Sequence, residues 1–208
     1  MAEATNRYHK AIAGNETARA FLVKRLGDLS WDSARYFSLG VVDDPLPGHE
    51  AYTGMLCIPY VAPYGVVGLK FRCLVDHDCK AVHKNRYLFP PGHTHRPYNT
   101  AALSRAEPYL AICEGEIDTI TAHMAGIPAV GFPGAGSWKK VYARMIRGYS
   151  AVYILADNDD GGTGVEKFAE VIAEDVRNAR IVQMPKGHDV NSFVQESGYD
   201  ALREKVGV

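Results

Sequence analysis

Two short apolar segments of this chain end in carboxylates whose types and spacing suit metal-dependent chemistry. One segment is followed by Glu114 and Asp118, and the other is followed by Asp157 and Asp159. Open α/β sheets bind ligands at the carboxyl ends of their parallel strands. Carboxylates that meet there repel one another unless a cation neutralises them, and Mg²⁺ prefers oxygen ligands of this kind. The pattern therefore predicts a divalent-metal site for phosphate chemistry.

The same acids have a second interpretation as helix caps. Asp157, Asp159 and a third acidic residue, Asp189, all precede predicted helices, where Asp is a favoured capping residue. Glu114 is not a favoured capping residue, however, and acids occur at three successive junctions between a strand and a helix. Taken together, the acids favour metal binding over capping alone.

The second half of the chain alternates between strand and helix patterns. We predict strands at 109–113, 128–131, 151–156 and 179–184, and helices at 116–125, 137–147, 162–174 and 189–197. Such a βαβ series forms a parallel sheet covered by helices. The predicted fold class is therefore α/β for residues 107–208.

The first half has a mixed α+β pattern. We predict a helix over 7–26, a helix start at Ser30, strands at 37–42, 55–61 and 66–75, and a hairpin turn at 63–65. Residues 76–100 read as a long working loop with a short strand near Tyr87. We therefore predict two domains, a small N-terminal subdomain over 1–106 and the α/β domain over 107–208.

Charge is distributed unevenly between the halves, although the net charge is −1. Residues 1–106 carry 13 Lys and Arg against 9 Asp and Glu, whereas residues 107–208 carry 10 against 15. No apolar run approaches the length of a membrane span, and the N-terminus lacks the apolar core of a signal peptide. Four cysteines in 208 residues do not suggest a disulfide framework. These features predict a protein of a reducing cytosol.

Four potential zinc ligands cluster around the start of the long polar loop. They are Cys73, His77, Cys79 and His83, with the spacing Cys-x₃-His-x-Cys-x₃-His. This is not a familiar zinc-finger spacing. We therefore expect that these four residues bind no metal. A zinc site is the alternative that the spacing leaves open.

The acidic motifs resemble those of the TOPRIM domain. Glu114-Gly115-x-x-Asp118 followed by Asp157-x-Asp159 has the order and spacing of that family, and the resemblance covers residues 107–195. The family includes DnaG-type primases, topoisomerases of types IA and II, and OLD-family nucleases.

Within that family the chain is most similar to primases. The motif around Glu114 and the run His188-Asp189-Val190-Asn191 resemble the primase part of phage helicase-primases. The first half resembles the RNA polymerase core of DnaG-type primases, more weakly. DnaG-type primases tend to have Asp where this chain has Asn191, and by that resemblance the position is a poorer metal ligand here.

The resemblance implies a DNA primase catalytic core that makes RNA primers on single-stranded DNA. It implies Mg²⁺ or Mn²⁺, with two or more ions, and catalytic roles for Glu114, Asp157 and Asp159. The implied metal ligands are Glu114, Asp118, Asp157, Asp159 and Asp189. Whether Glu114 is a ligand or a general base stays open.

The resemblance also implies partners and a second set of residues. The residues that it implies for binding nucleotide or template, by their position in the sequence, are Arg72, Lys84, Arg86 and Tyr87. The implied partners are a single-stranded DNA template, NTPs, a replicative helicase and a zinc-binding module on another chain, in the cytoplasm of a bacterium or a phage-infected host and without a membrane. Two alternatives are a metal-dependent OLD-like nuclease, in which the same carboxylates activate water, and a non-catalytic nucleic-acid-binding domain of the replisome.

Overall fold

The computed structural model of the protein describes residues 1–83, 85–133, 136–158 and 165–208. Within these ranges the chain divides into two compact units, Met1–Thr94 and His95–Val208, each with its own four-stranded sheet. Residues 95–106 cluster with the second unit because Tyr98 forms a bridge with Gly131 and the Asn99 side chain donates to Ala129 O at 2.8 Å. The assignment of two domains that meet at residue 106 stays a prediction.

In its described residues, the first unit combines helices with an antiparallel sheet. The helices are α1 (Ala2–Ala11), α2 (Glu16–Leu26), α3 (Ser30–Tyr36) and α4 (Cys79–His83), and the sheet runs in the order β1 (Gly40–Val41), β2 (Leu56–Ala62), β3 (Gly65–Arg72), β4 (Tyr87–Leu88). The predicted hairpin between β2 and β3 is confirmed. The single helix predicted over 7–26 is wrong, because the Asn15 side chain accepts a hydrogen bond from Ala18 N at 3.0 Å and starts a second helix there. The helix α4 was not predicted.

Aromatic packing anchors β3 within the first unit. The rings of Tyr52 and Phe71 stack with centroids 4.1 Å apart, and Tyr8 meets Phe71 edge-on at 6.5 Å. Tyr8 is fully buried, and its hydroxyl shares a hydrogen bond with His49 Nδ1 at 2.8 Å. These contacts fix the end of β3, from which Arg72 and Cys73 project.

The second unit is a parallel sheet covered by helices, which confirms the predicted α/β class. The strands β5 (Tyr109–Cys113), β6 (Ala129–Gly131), β7 (Ala151–Ala156) and β8 (Ala179–Gln183) lie in the order β6-β5-β7-β8, and the helices are α5 (Glu116–Met124), α6 (Glu170–Asp175), α7 (Val190–Ser197) and α8 (Tyr199–Val206). A π-helical segment, Val165–Ala169, leads into α6. The helix predicted over 137–147 is wrong, since the described residues there form only a 3₁₀ turn, Lys140–Arg144.

Burial on both faces explains the continuous apolar character of β7. Val152 and Ile154 pack into one hydrophobic cluster, while Tyr153 and Leu155 pack into the cluster on the opposite face. A strand covered by helices on both sides has no solvent face and shows no polar alternation. Across the described ranges, no helix is both long enough and apolar enough to cross a bilayer.

The pH dependence of stability should depend on His123, in the last turn of α5. Burial, assisted by the positive charge of Arg105, lowers the pKa of His123 from 6.5 to about 4. In the unfolded chain the imidazole titrates near its ordinary value, so between these pH values the unfolded state takes up a proton that the folded state does not, and stability falls as the pH falls. When the pH is lowered from 7.5 to 4.5, we expect the free energy of unfolding of His123→Gln to fall by about 2.5 kcal/mol less than that of the wild type.

Urea unfolding of both proteins at the two pH values measures this difference. Any change that is common to the two proteins reflects other titrating groups and cancels in the comparison. Equal acid sensitivity of the variant and the wild type would show that His123 is not the responsible group.

Candidate active site

Glu114 and Asp118 are placed by the turn from β5 into α5. Gly115 caps the helix in an extended conformation, and the Asp118 carboxylate folds back over it, so that a Cβ on Gly115 would lie 2.5 Å from Asp118 Oδ2. Thr119 Oγ1 donates to Gly115 O at 2.6 Å and holds the same turn. The motif Glu-Gly-x-x-Asp therefore needs its glycine for the space that the carboxylate occupies.

Asp157 leaves the same edge of the sheet as Glu114. The neighbouring parallel strands β5 and β7 pair Cys113 with Leu155, so the two strands end side by side at this edge of the sheet. Burial raises the pKa of the Cys113 thiol well above its usual value, and the charges of Asp118, Asp157 and Glu114 raise it further. Because such charge effects require proximity, the carboxylates that follow the neighbouring strands β5 and β7 lie near Cys113.

Asp118 also joins α5 to the start of α7. Its Oδ1 accepts a hydrogen bond from Asn191 N at 3.0 Å, and Asn191 Nδ2 donates to Thr121 Oγ1 at 2.8 Å. Asn191 is fully buried, and Gln195 Nε2 donates to its Oδ1 at 2.5 Å. In this structure Asn191 connects two helices, which gives the amide at this position a packing role of its own.

Asp189 caps α7, as the alternative interpretation of the acids expected. Its carboxylate accepts a hydrogen bond from Ser192 N at 2.5 Å, and Ser192 Oγ accepts one from Asp189 N at 3.0 Å. Residues just before this cap pair with the residue after Asp157, since Asn158 N donates to His188 O at 2.9 Å and Gly187 N donates to Asn158 O at 2.7 Å. These backbone bonds hold the segment before Asp189 against the segment after Asp157.

The described residues fit a hard divalent cation. The donors that converge are carboxylate oxygens, the ligands that Mg²⁺ and Mn²⁺ prefer. Glu114 and Asp157 are half-buried, and such partial exposure suits a cation that keeps several waters. The predicted site residue Asp159 lies outside the described residues.

Several predicted nucleotide-binding residues come together in the first unit. Arg72 is buried, its guanidinium lies 4.2 Å from the ring centroid of Phe21, and its Nε donates to Tyr87 Oη at 3.0 Å. Arg72 and Arg86 line a cavity of about 240 Å³, and the other lining residues are Phe21, Lys24, Arg25, Cys73, Leu74, Val75 and Asp76. Four cations against one acid make this cavity suited to phosphate groups.

The basic cavity contains residues that the sequence analysis did not select. Phe21, Lys24 and Arg25 come from α2, about fifty residues before Arg72 in the sequence. The sequence signal was a Lys-Arg pair at the end of an otherwise ordinary helix, which by itself indicates only a solvated helix end. The predicted residue Lys84 lies outside the described residues.

We expect Arg72→Lys to weaken binding of a single-stranded oligonucleotide about 5- to 10-fold. Lysine keeps the charge but loses the planar contact with Phe21 and the forked donor geometry, so the slope of affinity against salt should stay unchanged. Arg86→Ala removes a charge and should reduce that slope by about 0.7. Fluorescence anisotropy at several salt concentrations measures both quantities.

Arg7→Lys is the matched control for Arg72→Lys. Arg7 is an exposed arginine on α1 that pairs with Glu3 and Asp44 and is not one of the residues that line the cavity. An equal loss of affinity in the two lysine variants would contradict a specific role for Arg72.

Comparisons with known proteins agree with the fold of this chain. Residues 111–194 match a family model described as Toprim-like. Gene 57 protein of Mycobacterium phage D29 is 44% identical over 160 residues, which cover 74% of this chain and 99% of that protein. The RNA polymerase domain of Mycobacterium tuberculosis primase DnaG has a similar fold, with a TM-score of 0.77, 20% identity and coverage of 99% of this chain and 81% of that one.

A second structural relative is a DnaG primase catalytic domain solved with bound single-stranded DNA. It has a TM-score of 0.71 and 19% identity, and the alignment covers 98% of this chain and 77% of that one. The chain therefore belongs to the same family as the phage gene 57 protein and carries a Toprim-like domain within the fold of the DnaG primase catalytic core.

Proposed function

We propose that this protein is the catalytic core of a DNA primase, which synthesises short RNA primers on single-stranded DNA from NTPs. The observation that carries the proposal is that Glu114 and Asp157 follow neighbouring parallel strands at one edge of the sheet, with Asp118 in the first turn of the helix after Glu114. Supporting it, the fold is similar to that of the M. tuberculosis primase domain, and a DnaG catalytic domain of similar fold was solved with single-stranded DNA.

The reaction joins nucleotides by attack of a 3′-hydroxyl on an α-phosphate, with pyrophosphate as the leaving group. A bound Mg²⁺ or Mn²⁺ supplies charge neutralisation at the phosphate and a lower pKa for the attacking hydroxyl. We assign Glu114 and Asp157 to holding the cation, together with Asp159 by resemblance. In the alternative role that the sequence leaves open, Glu114 accepts the proton of the hydroxyl.

Asp118 and Asp189 have a positioning role in this proposal. Each uses a carboxylate oxygen to hold a backbone N–H group, at Asn191 and Ser192 respectively. These bonds fix the start of α7 and the turn after β5, and thereby keep Glu114 in place. In this proposal either residue also supports the cation or an ordered water.

Phosphate recognition is assigned to the basic cavity of the first unit. Arg72 and Arg86 present forked donors that match phosphate oxygens, and Tyr87 and Phe21 hold the Arg72 guanidinium. Lys84 belongs to the same set by resemblance. A replicative helicase and a zinc-binding module on another chain are further proposed partners, and the bacterial or phage-infected cytoplasm is the proposed location.

Incubation with single-stranded DNA, labelled NTPs and Mg²⁺ or Mn²⁺ tests the proposal. Labelled short RNA that requires the template is the expected result, and degradation of the DNA without RNA synthesis would favour the nuclease alternative. A parallel reaction contains an RNA primer already annealed to the template, so that initiation by a partner is not needed. Absence of extension in that reaction would contradict a polymerising activity and favour a non-catalytic replisome domain.

A further inference from the structure

A second cluster of metal-ligating side chains belongs to the first unit, whereas the carboxylates belong to the second. One donor atom from each of Cys73, His77, Cys79 and His83 lies within 4.8 Å of every other. Cys73 Sγ is 3.5 Å from His77 Nε2, and His77 Nε2 is 3.1 Å from His83 Nε2. From these contacts we propose that the four residues bind one structural Zn²⁺.

The distances agree with a tetrahedral zinc site. With Zn–S bonds of about 2.3 Å and Zn–N bonds of about 2.0 Å, a tetrahedron places sulfur and nitrogen about 3.5 Å apart and two nitrogens about 3.3 Å apart. Two thiolates and two imidazoles form a borderline-soft donor set, which selects zinc over magnesium. Four protein ligands leave no open position, so the ion is structural and has no catalytic role.

Hydrogen bonding alone does not account for the arrangement. A ring nitrogen offers either one N–H or one in-plane lone pair, and His77 Nε2 faces both Cys73 Sγ and His83 Nε2. One contact at most is then a well-directed hydrogen bond, whereas an ion at the centre satisfies all four donors together. Packing also explains only half of the set: Cys73 and Cys79 are buried in a hydrophobic cluster, but the two histidines are half-buried and are not part of it.

The four donors come from three parts of the chain: the residue after β3, His77 between β3 and α4, and the helix α4. Cys73 follows β3, and its N–H donates to Arg86 O at 2.9 Å across the base of the loop. Cys79 and His83 lie four residues apart on α4, which puts them on one face of the helix. A five-residue helix is unstable by itself, so a cross-link from α4 to Cys73 gives a physical reason for its existence.

The site has a consequence for the basic cavity. Cys73 lines that cavity, and the backbone bond between Cys73 and Arg86 places a proposed phosphate-binding residue at the end of the zinc loop. Bound zinc would therefore restrain Cys73 and, through this backbone bond, the position of Arg86. The zinc proposal itself does not depend on primase activity.

The first test is the metal content of the full chain, purified without an immobilised-metal column. Inductively coupled plasma mass spectrometry should find about one zinc per chain, and replacement by Co²⁺ should give a thiolate charge-transfer band with the intense visible bands of tetrahedral cobalt. A chain that binds neither ion after dialysis against each would overturn the proposal. So would a count of two free thiols in the denatured protein, since that result indicates a Cys73–Cys79 disulfide.

Variants locate the ion without reliance on activity. Cys79→Ser should lose the bound zinc, whereas Cys57→Ala, at the buried cysteine of this unit that is outside the cluster, should keep about one zinc per chain. Because Cys79→Ser risks loss of the fold, His83→Cys provides a second test: it should retain the metal and increase the cobalt charge-transfer intensity by roughly half, as three thiolates replace two. An unchanged cobalt spectrum in His83→Cys would exclude His83 as a ligand.

Discussion

Asp157→Asn is expected to abolish template-directed RNA synthesis, with a loss of at least about 10³-fold in turnover. The carboxylate after β7 is one of three whose charges act on Cys113, and the proposed cation is worth several kcal/mol of transition-state stabilisation. The amide has nearly the same shape and Asp157 is half-buried, so the fold should remain intact. Labelled-primer assays and thermal unfolding of the same preparation measure the two effects.

Metal binding should change together with activity. Mg²⁺ or Mn²⁺ should raise the unfolding temperature of the wild type because the ion binds only the folded state, and it should not raise that of Asp157→Asn. Without metal, the variant should be at least as stable as the wild type, since one of three mutually repelling charges is gone.

Asp200→Asn is the matched control for this experiment. It makes the same chemical change at an exposed position in the first turn of α8. The control should retain full activity and the full response to metal. Wild-type turnover in Asp157→Asn, or an equal loss in both variants, would contradict the proposed metal site.

Gly115→Ala should lower activity about 10²-fold and destabilise the protein by about 1–3 kcal/mol. The backbone at Gly115 has φ −118° and ψ 163°, a conformation that any residue adopts, so the main chain is not the obstacle. The obstacle is the Asp118 carboxylate, 2.5 Å from the added Cβ. If the carboxylate moves, its bond to Asn191 N is lost and the neighbouring Glu114 shifts with the turn.

A double-mutant cycle with Asp118→Ala separates this mechanism from a general effect of alanine. In the Asp118→Ala background the space over residue 115 is open, so the additional cost of Gly115→Ala should fall to within about 0.5 kcal/mol of zero. Urea unfolding of the four proteins gives the coupling energy. Additive costs would show that the close approach of Asp118 is not the reason for the glycine.

The strands of the second unit were largely predictable, and the reason is local. The apolar run that forms β7 is bounded at 151 and 156 as predicted, because a strand buried on both faces must be apolar at every position. The predicted helix over 137–147 was wrong because helical spacing also occurs in a segment that packs through Trp138 and Tyr142 against Phe132 without continuous helical turns. The helix α8 was not predicted, because it begins directly after Gly198 and only that residue separates it from α7.

For the candidate site, the acidic residues could be predicted from the sequence, whereas the contacts that they make could not. By itself, the sequence determined that Glu114, Asp118 and Asp157 follow apolar strands, and the parallel order of those strands places their ends at one edge. Only the tertiary structure decided that Asp118 holds the N–H of Asn191, that Phe21 covers Arg72, and that two cysteines and two histidines meet around one point. The physical reason is that strand and helix patterns repeat over a few residues, whereas contacts between distant residues depend on strand register and loop path, which leave no periodic mark in the sequence.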